Sequence, residues 1–138
     1  MTRDMLHEHF ADWHEDFHEL LAESDGDLLP RPVFALPVGH RWPRTPGVTL
    51  IGDAAHLMSP FAGEGVNLAM IDGADLASAI IAHPDDIDRA FASYEAAMFP
   101  RAKEKAAESA AGLELAFEAN SPRGMLDFFA RHGVAPNQ

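Results

Sequence analysis

Asp53 directly follows the run Val48-Thr49-Leu50-Ile51-Gly52, and the glycine pair Gly63 and Gly65 brackets Glu64 a little further on. The apolar, β-branched run bounded by Gly47 and Gly52 predicts a short buried strand. A carboxylate at a strand's carboxyl end is placed to accept hydrogen bonds from the hydroxyls of a bound molecule. Gly63 and Gly65 lack a Cβ and let backbone come close to a ligand. A helix opening near Gly65 would add unpaired N–H groups and a dipole that favours negative charge. A second pattern competes with this one. His14-Glu15-Asp16-Phe17-His18 is a literal HExxH, the spacing that sets two histidines one helical turn apart around zinc beside a glutamate base. No third ligand accompanies it, because His7 falls about 10 Å from His14 along a continuous helix. A polar edge on an acidic helix is the simpler reading. His56 reads as a structural histidine, and Phe61 as a packing residue with a substrate contact open to it.

The pentapeptide Gly52-Asp53-Ala54-Ala55-His56, followed by Pro60-Phe61-Ala62-Gly63-Glu64-Gly65-Val66-Asn67, resembles the C-terminal part of the FAD-dependent class A flavoprotein monooxygenases. These are the aromatic hydroxylases and the tetracycline-inactivating monooxygenases. The resemblance implies an α/β fold, as a helix-rich C-terminal portion of an FAD/NAD(P)-binding fold with few strands. It implies cofactor contacts at Gly52, Asp53, Pro60, Gly63, Glu64, Gly65, Val66 and Asn67. Asp53 would hold the flavin ribityl chain, and the backbone from Gly63 to Asn67 would receive flavin O2 and N1. The implied reaction is NAD(P)H- and O2-dependent hydroxylation of an aromatic or polyketide-like small molecule, with no catalytic side chain and no metal ligand from these residues.

The family's first βαβ unit carries a GxGxxG fingerprint under the FAD pyrophosphate. The single GxG here is Gly63 to Gly65, and Leu68 stands where the third glycine belongs. The expectation is therefore a flavin-binding segment without the N-terminal βαβ unit, incomplete and inactive alone. Its partner would be a separate N-terminal chain or a second copy meeting it through exposed apolar faces. The alternatives are a non-enzymatic interaction module derived from the same fold, or an HExxH zinc-binding protein.

Composition narrows the field further. The chain has 138 residues, 47% of them hydrophobic, which suits one compact domain. Twenty-two acidic against ten basic residues give a net charge of −12, which disfavours nucleic acid and anionic membrane surfaces. There is no cysteine, so disulfides and thiolate chemistry are excluded. No span reads as a membrane helix and no apolar signal core opens the chain, so a cytoplasmic location is expected.

The elements that would position the site follow from periodicity. Leu6, Phe10, Trp13, Phe17, Leu20 and Leu21 predict one amphipathic helix over about Asp4–Glu23. The prolines of 31–38 predict an extended edge segment. A broad apolar face from Gly65 to Ala82 predicts a helix stopped by His83-Pro84, with Gly73 allowing close packing. Asp85-Asp86 opens the next, running toward Glu118 and kinked or divided at Pro100. Asn120-Ser121-Pro122 precedes a last short helix. Three stretches result: 1–46, an amphipathic helix and the end of a substrate-domain-like sheet; 47–84, the strand, loop and helix of the flavin site; 85–138, C-terminal helices.

Overall fold

A computed structural model describes residues 2–118 and 121–131, and every described regular element is helical. The chain forms two units, 1–33 and 34–138.

The first unit is a pair of short helices, α1 (Arg3–His9) and α2 (Glu15–Glu23). The single helix expected over 4–23 breaks at residues 10–14. Two local bonds favour the break: Thr2 caps α1 by accepting from the Met5 N–H, and His14 caps α2 by accepting from the Asp16 N–H. The turn lets Phe10 and Phe17 meet with ring centroids 5.1 Å apart, with Trp13 at 4.7 Å from each. Arg3 then ties the pair by donating to the carbonyls of Leu21, Ser24 and Gly26.

The second unit is built around two long helices, α4 (Gly65–Ala82) and α5 (Ile87–Phe117), with the one-turn helix α3 (Asp53–His56) before them and α6 (Arg123–Arg131) after. Asp86 caps α5 by accepting from the Arg89 N–H. Of the two outcomes expected at Pro100, a kink or a division, the division does not occur: α5 runs through it as one helix. Ala96 and Pro100 both face solvent, so the carbonyl that loses its partner to the proline can be hydrated. The core is small: Ala55, Tyr94, Met98 and Ala102, with Trp42, Leu76, Ala79 and Phe99 packed against it.

Residues 48–51 do not form the buried strand that their composition predicts. Val48, Leu50 and Ile51 are 53%, 38% and 44% exposed, and the sole bridge among the described residues is a tight turn from Thr45 to Val48. A strand needs a neighbour for its N–H and C=O groups, and no second strand lies among the described residues. Side chains of α5 take that part instead. Asp88 accepts from the Gly47 N–H at 2.8 Å and from Arg44 at 2.7 Å, Glu95 accepts from Thr49 at 2.8 Å, and Tyr94 donates to the Leu50 carbonyl at 3.1 Å. Burial pushes the Tyr94 hydroxyl well above the usual phenol range, with the nearby Asp72 charge adding to it. The helix-rich half of the expected fold is therefore present, and its strand is not.

Asp72 on α4 gathers three partners. It is fully buried. Its Oδ2 accepts from the Gly52 N–H at 2.9 Å and from His56 Nε2 at 2.6 Å, while Oδ1 accepts from Arg101 at 3.1 Å. Burial alone would raise its pKa, but these bonds outweigh it and hold the carboxyl below its ordinary value of 3.8. For Arg101, burial opposes the charge, and Asp75 and Asp72 more than restore it.

Two outcomes follow for stability. Met98→Ala, at a side chain 1% exposed, should lower the unfolding free energy by about 2–5 kcal/mol. Met70→Ala, at 71% exposure, should change it by less than about 0.5 kcal/mol. Urea denaturation of both variants measures the contrast. Because the folded pKa of Asp72 is depressed, its contribution is complete above the ordinary value of 3.8 and fades as pH falls through the lower folded value. The stability gap between the native chain and Asp72→Asn should therefore be widest at neutral pH and close in strong acid, which urea midpoints measured down a pH series would record.

Candidate functional site

The candidate site lies where α3, the loop after it and the start of α4 converge. Gly52 adopts φ 58° and ψ −141°, a backbone region open to glycine, and a Cβ there would lie 3.2 Å from the Ala69 Cβ. It turns the chain from the 48–51 segment into α3, whose first residue is Asp53. The chain then passes through a 3-10 turn, Pro60–Ala62, and Gly63 reverses it with φ 68° in the left-handed region. Beneath this loop α5 comes very close. A Cβ on Gly112 would meet the Phe61 carbonyl oxygen at 3.0 Å. Ser109 donates to the Ser59 carbonyl at 2.5 Å, and the two buried serine hydroxyls lie 2.7 Å apart. The loop is thus fixed at both ends, by Asp72 before it and Ser109 under it.

The result is an open cleft of about 690 Å³, within the size range of small-molecule sites. Asp53, Pro60, Gly63, Glu64, Gly65 and Val66 line it, six of the residues the sequence singles out. The Asp53 carboxylate and the α4 N-terminus meet there: a Cβ on Gly65 would sit 4.0 Å from Asp53 Oδ1. No side chain caps α4. The Leu68 N–H is satisfied by the Glu64 carbonyl at 2.9 Å, so the N–H groups of Gly65, Val66 and Asn67 are the open donors of the first turn.

The other two expected residues stand differently. Gly52 is buried below the cleft with its N–H on Asp72. The Asn67 amide turns toward Glu64 at 3.5 Å. Five lining residues were not singled out: Leu57, Met58, Ser59, Ala69 and Met70. Met70 and Ala69 follow Val66 at helical spacing, the signal that could have found them. The broad apolar face read from the sequence is open at this end, with Val66 and Met70 74% and 71% exposed. Gly73, expected to allow close packing, has no heavy atom within 4 Å of its would-be Cβ. By length and composition α4 also suffices to cross a membrane, where the sequence reading saw no such span.

His56 is the structural histidine that the sequence suggests. It is buried, and since the ionised Asp72 carboxylate can only accept, its Nε2 is the donor. Phe61 packs edge-on against Phe117 with centroids 5.6 Å apart. The HExxH histidines separate in role. His14 Nδ1 caps α2, while His18 Nδ1 lies 3.0 Å from His7 Nδ1. Among the described residues the one converging group of possible metal ligands is His14, Glu15 and Asp16, all exposed, and it does not include His18.

A family model described as FAD binding domain matches residues 13–109. Monooxygenase penA of Penicillium thymicola is 37% identical over 114 residues, covering 70% of this chain and 26% of that protein. Kynurenine 3-monooxygenase of Salinispora tropica is 38% identical over 120 residues, covering 82% of this chain and 24% of the relative. The FAD-dependent urate hydroxylase of Mycolicibacterium vanbaalenii is 35% identical over 102 residues, with 73% and 26% covered. The chain spans about a quarter of the length of these relatives. It belongs to the FAD binding domain family of flavin-dependent monooxygenases, whose cofactor is FAD.

Proposed function

We propose that this chain forms the flavin-facing wall of a monooxygenase that uses NAD(P)H and O2 to hydroxylate an aromatic or polyketide-like small molecule. The observation that carries the reading is the meeting of the Asp53 carboxylate and the uncapped α4 N-terminus in one cleft. Two of the relatives are named for kynurenine and urate, and the difference between them leaves the substrate to residues outside the shared segment.

The residues present fit the ring and ribityl end of FAD. Asp53 offers an acceptor for ribityl hydroxyls, and the missing Cβ of Gly65 keeps the space beside its Oδ1 open. The N–H groups of Gly65, Val66 and Asn67, with the dipole of an 18-residue helix behind them, favour negative charge at the ring's pyrimidine edge by about 0.3–1 kcal/mol, and up to about 2 when partly buried. Leu57, Met58, Ala69 and Met70 supply the apolar part of the lining. When bound, FAD supplies hydride acceptance and oxygen activation. These residues orient it and set the charge around it.

The cleft offers a diphosphate no side-chain cation: among its lining residues there is no lysine or arginine. In this reading the pyrophosphate platform comes from other residues of the same flavoprotein, a separate N-terminal chain or a second copy, in a cytoplasmic setting where NAD(P)H is available. Exposed Val66, Met70 and Ile81 on α4 support such an association.

The 138-residue chain should therefore be inactive by itself and bind FAD more weakly than about 1 μM, equivalent to about −8 kcal/mol. Riboflavin should bind within a few-fold of FAD, since the adenylate half adds no contact. Isothermal titration with both ligands tests this, and submicromolar FAD binding far tighter than riboflavin would refute it.

A further inference from the structure

Asp53 is exposed and its carboxylate has no hydrogen-bond partner among the described residues, so the backbone that carries it fixes where the side chain starts. That backbone is clamped from one side. Asp72 Oδ2 accepts from the Gly52 N–H at 2.9 Å and from His56 Nε2 at 2.6 Å, the two ends of the turn 52–56. Inside the turn the Gly52 carbonyl accepts from the N–H groups of Ala55 at 2.9 Å and His56 at 3.0 Å. Arg101 holds the other carboxylate oxygen at 3.1 Å and Asp75 at 2.8 Å, which fixes the plane of the Asp72 carboxylate. Asp72 lies about two turns into the helix whose N-terminus lines the cleft. One rigid helix therefore carries both the open N–H groups and the clamp that aims Asp53.

We propose that Asp72 is a positioning residue for the ligand site: by fastening both ends of the Gly52–His56 turn to α4 it holds Asp53 in register with the α4 N-terminus, so that a single ligand meets both. The proposal rests on the reading of the cleft as the flavin site. A purely structural Asp72 would affect stability without depending on Asp53, and a positioning Asp72 acts on binding only through Asp53.

Riboflavin, which has the ring and ribityl chain without phosphate, is the probe, titrated into the full chain and followed by two-dimensional NMR. Asp53→Ala should weaken binding by about tenfold or more, the size of one hydrogen bond to a charged group. Asp72→Asn should do the same, because its amide accepts on one side only and presents an NH2 to donors on the other. The double variant should bind no more weakly than Asp53→Ala alone, the mark of two residues acting through one contact. Additive losses, or unchanged affinity in a folded Asp72→Asn, would overturn the positioning role. Should Asp72→Asn not fold, the native chain decides: a through-hydrogen-bond coupling between the Gly52 amide nitrogen and Asp72 Cγ, kept while riboflavin shifts Asp53, supports the clamp, and its absence overturns it. Coupling without any riboflavin binding overturns the flavin reading, and the ligand role of Asp72 with it.

Discussion

Backbone polar groups removed from water must be paired, and the segment 44–59 meets that demand without a sheet. Its partners are side chains in series along α5 and one from α4. Asp88 accepts from the Gly47 N–H, Tyr94 donates to the Leu50 carbonyl, Asp72 accepts from the Gly52 N–H and Ser109 donates to the Ser59 carbonyl, while Glu95 takes the Thr49 hydroxyl. α5 is the splint to which the site-forming segment is bound at successive points. This explains why several polar residues occupy a core with so few large apolar side chains. Glu95, Asp72 and Ser109 are buried because extended chain lies on them.

That arrangement separates what the sequence shows from what it conceals. Helix limits at Gly65, His83 and Asp86 are local, set by a glycine, a His-Pro stop and a capping carboxylate, and the structure has them at those positions. Asp53, Gly63 and Gly65, which line the cleft, were legible as site candidates because glycine and acid types are unusual next to an apolar run. The state of 48–51 was not legible. Composition records that these residues favour a strand, whereas strand formation depends on a neighbour that no local pattern specifies. The break at 10–14 was hidden for a different reason, since it arises from aromatic packing and a histidine cap within an otherwise helical period. The role of Asp72 was also out of reach, because its partners lie on α3 and α5 and share no spacing with it.

Charge places a further constraint on what the cleft can hold. The chain carries −12 overall, and Asp53 and Glu64 both line the cleft. Fields from distant surface charges decay over about 8 Å at physiological salt, so the balance at the cleft is local. There, two carboxylates face three open N–H groups at the end of a helix. A compact dianion such as a diphosphate would meet both carboxylates at close range with no side-chain cation to offset them. A ligand that presents hydroxyls to Asp53 and a diffuse partial negative charge to the α4 N-terminus satisfies both features together. In the proposed flavin reading, the same two carboxylates that make the wall poor for phosphate would favour the uncharged, hydroxyl-bearing stretch of a dinucleotide. That selectivity holds only while Asp53 and the N-terminus of α4 keep their separation, which is the distance that Asp72 controls.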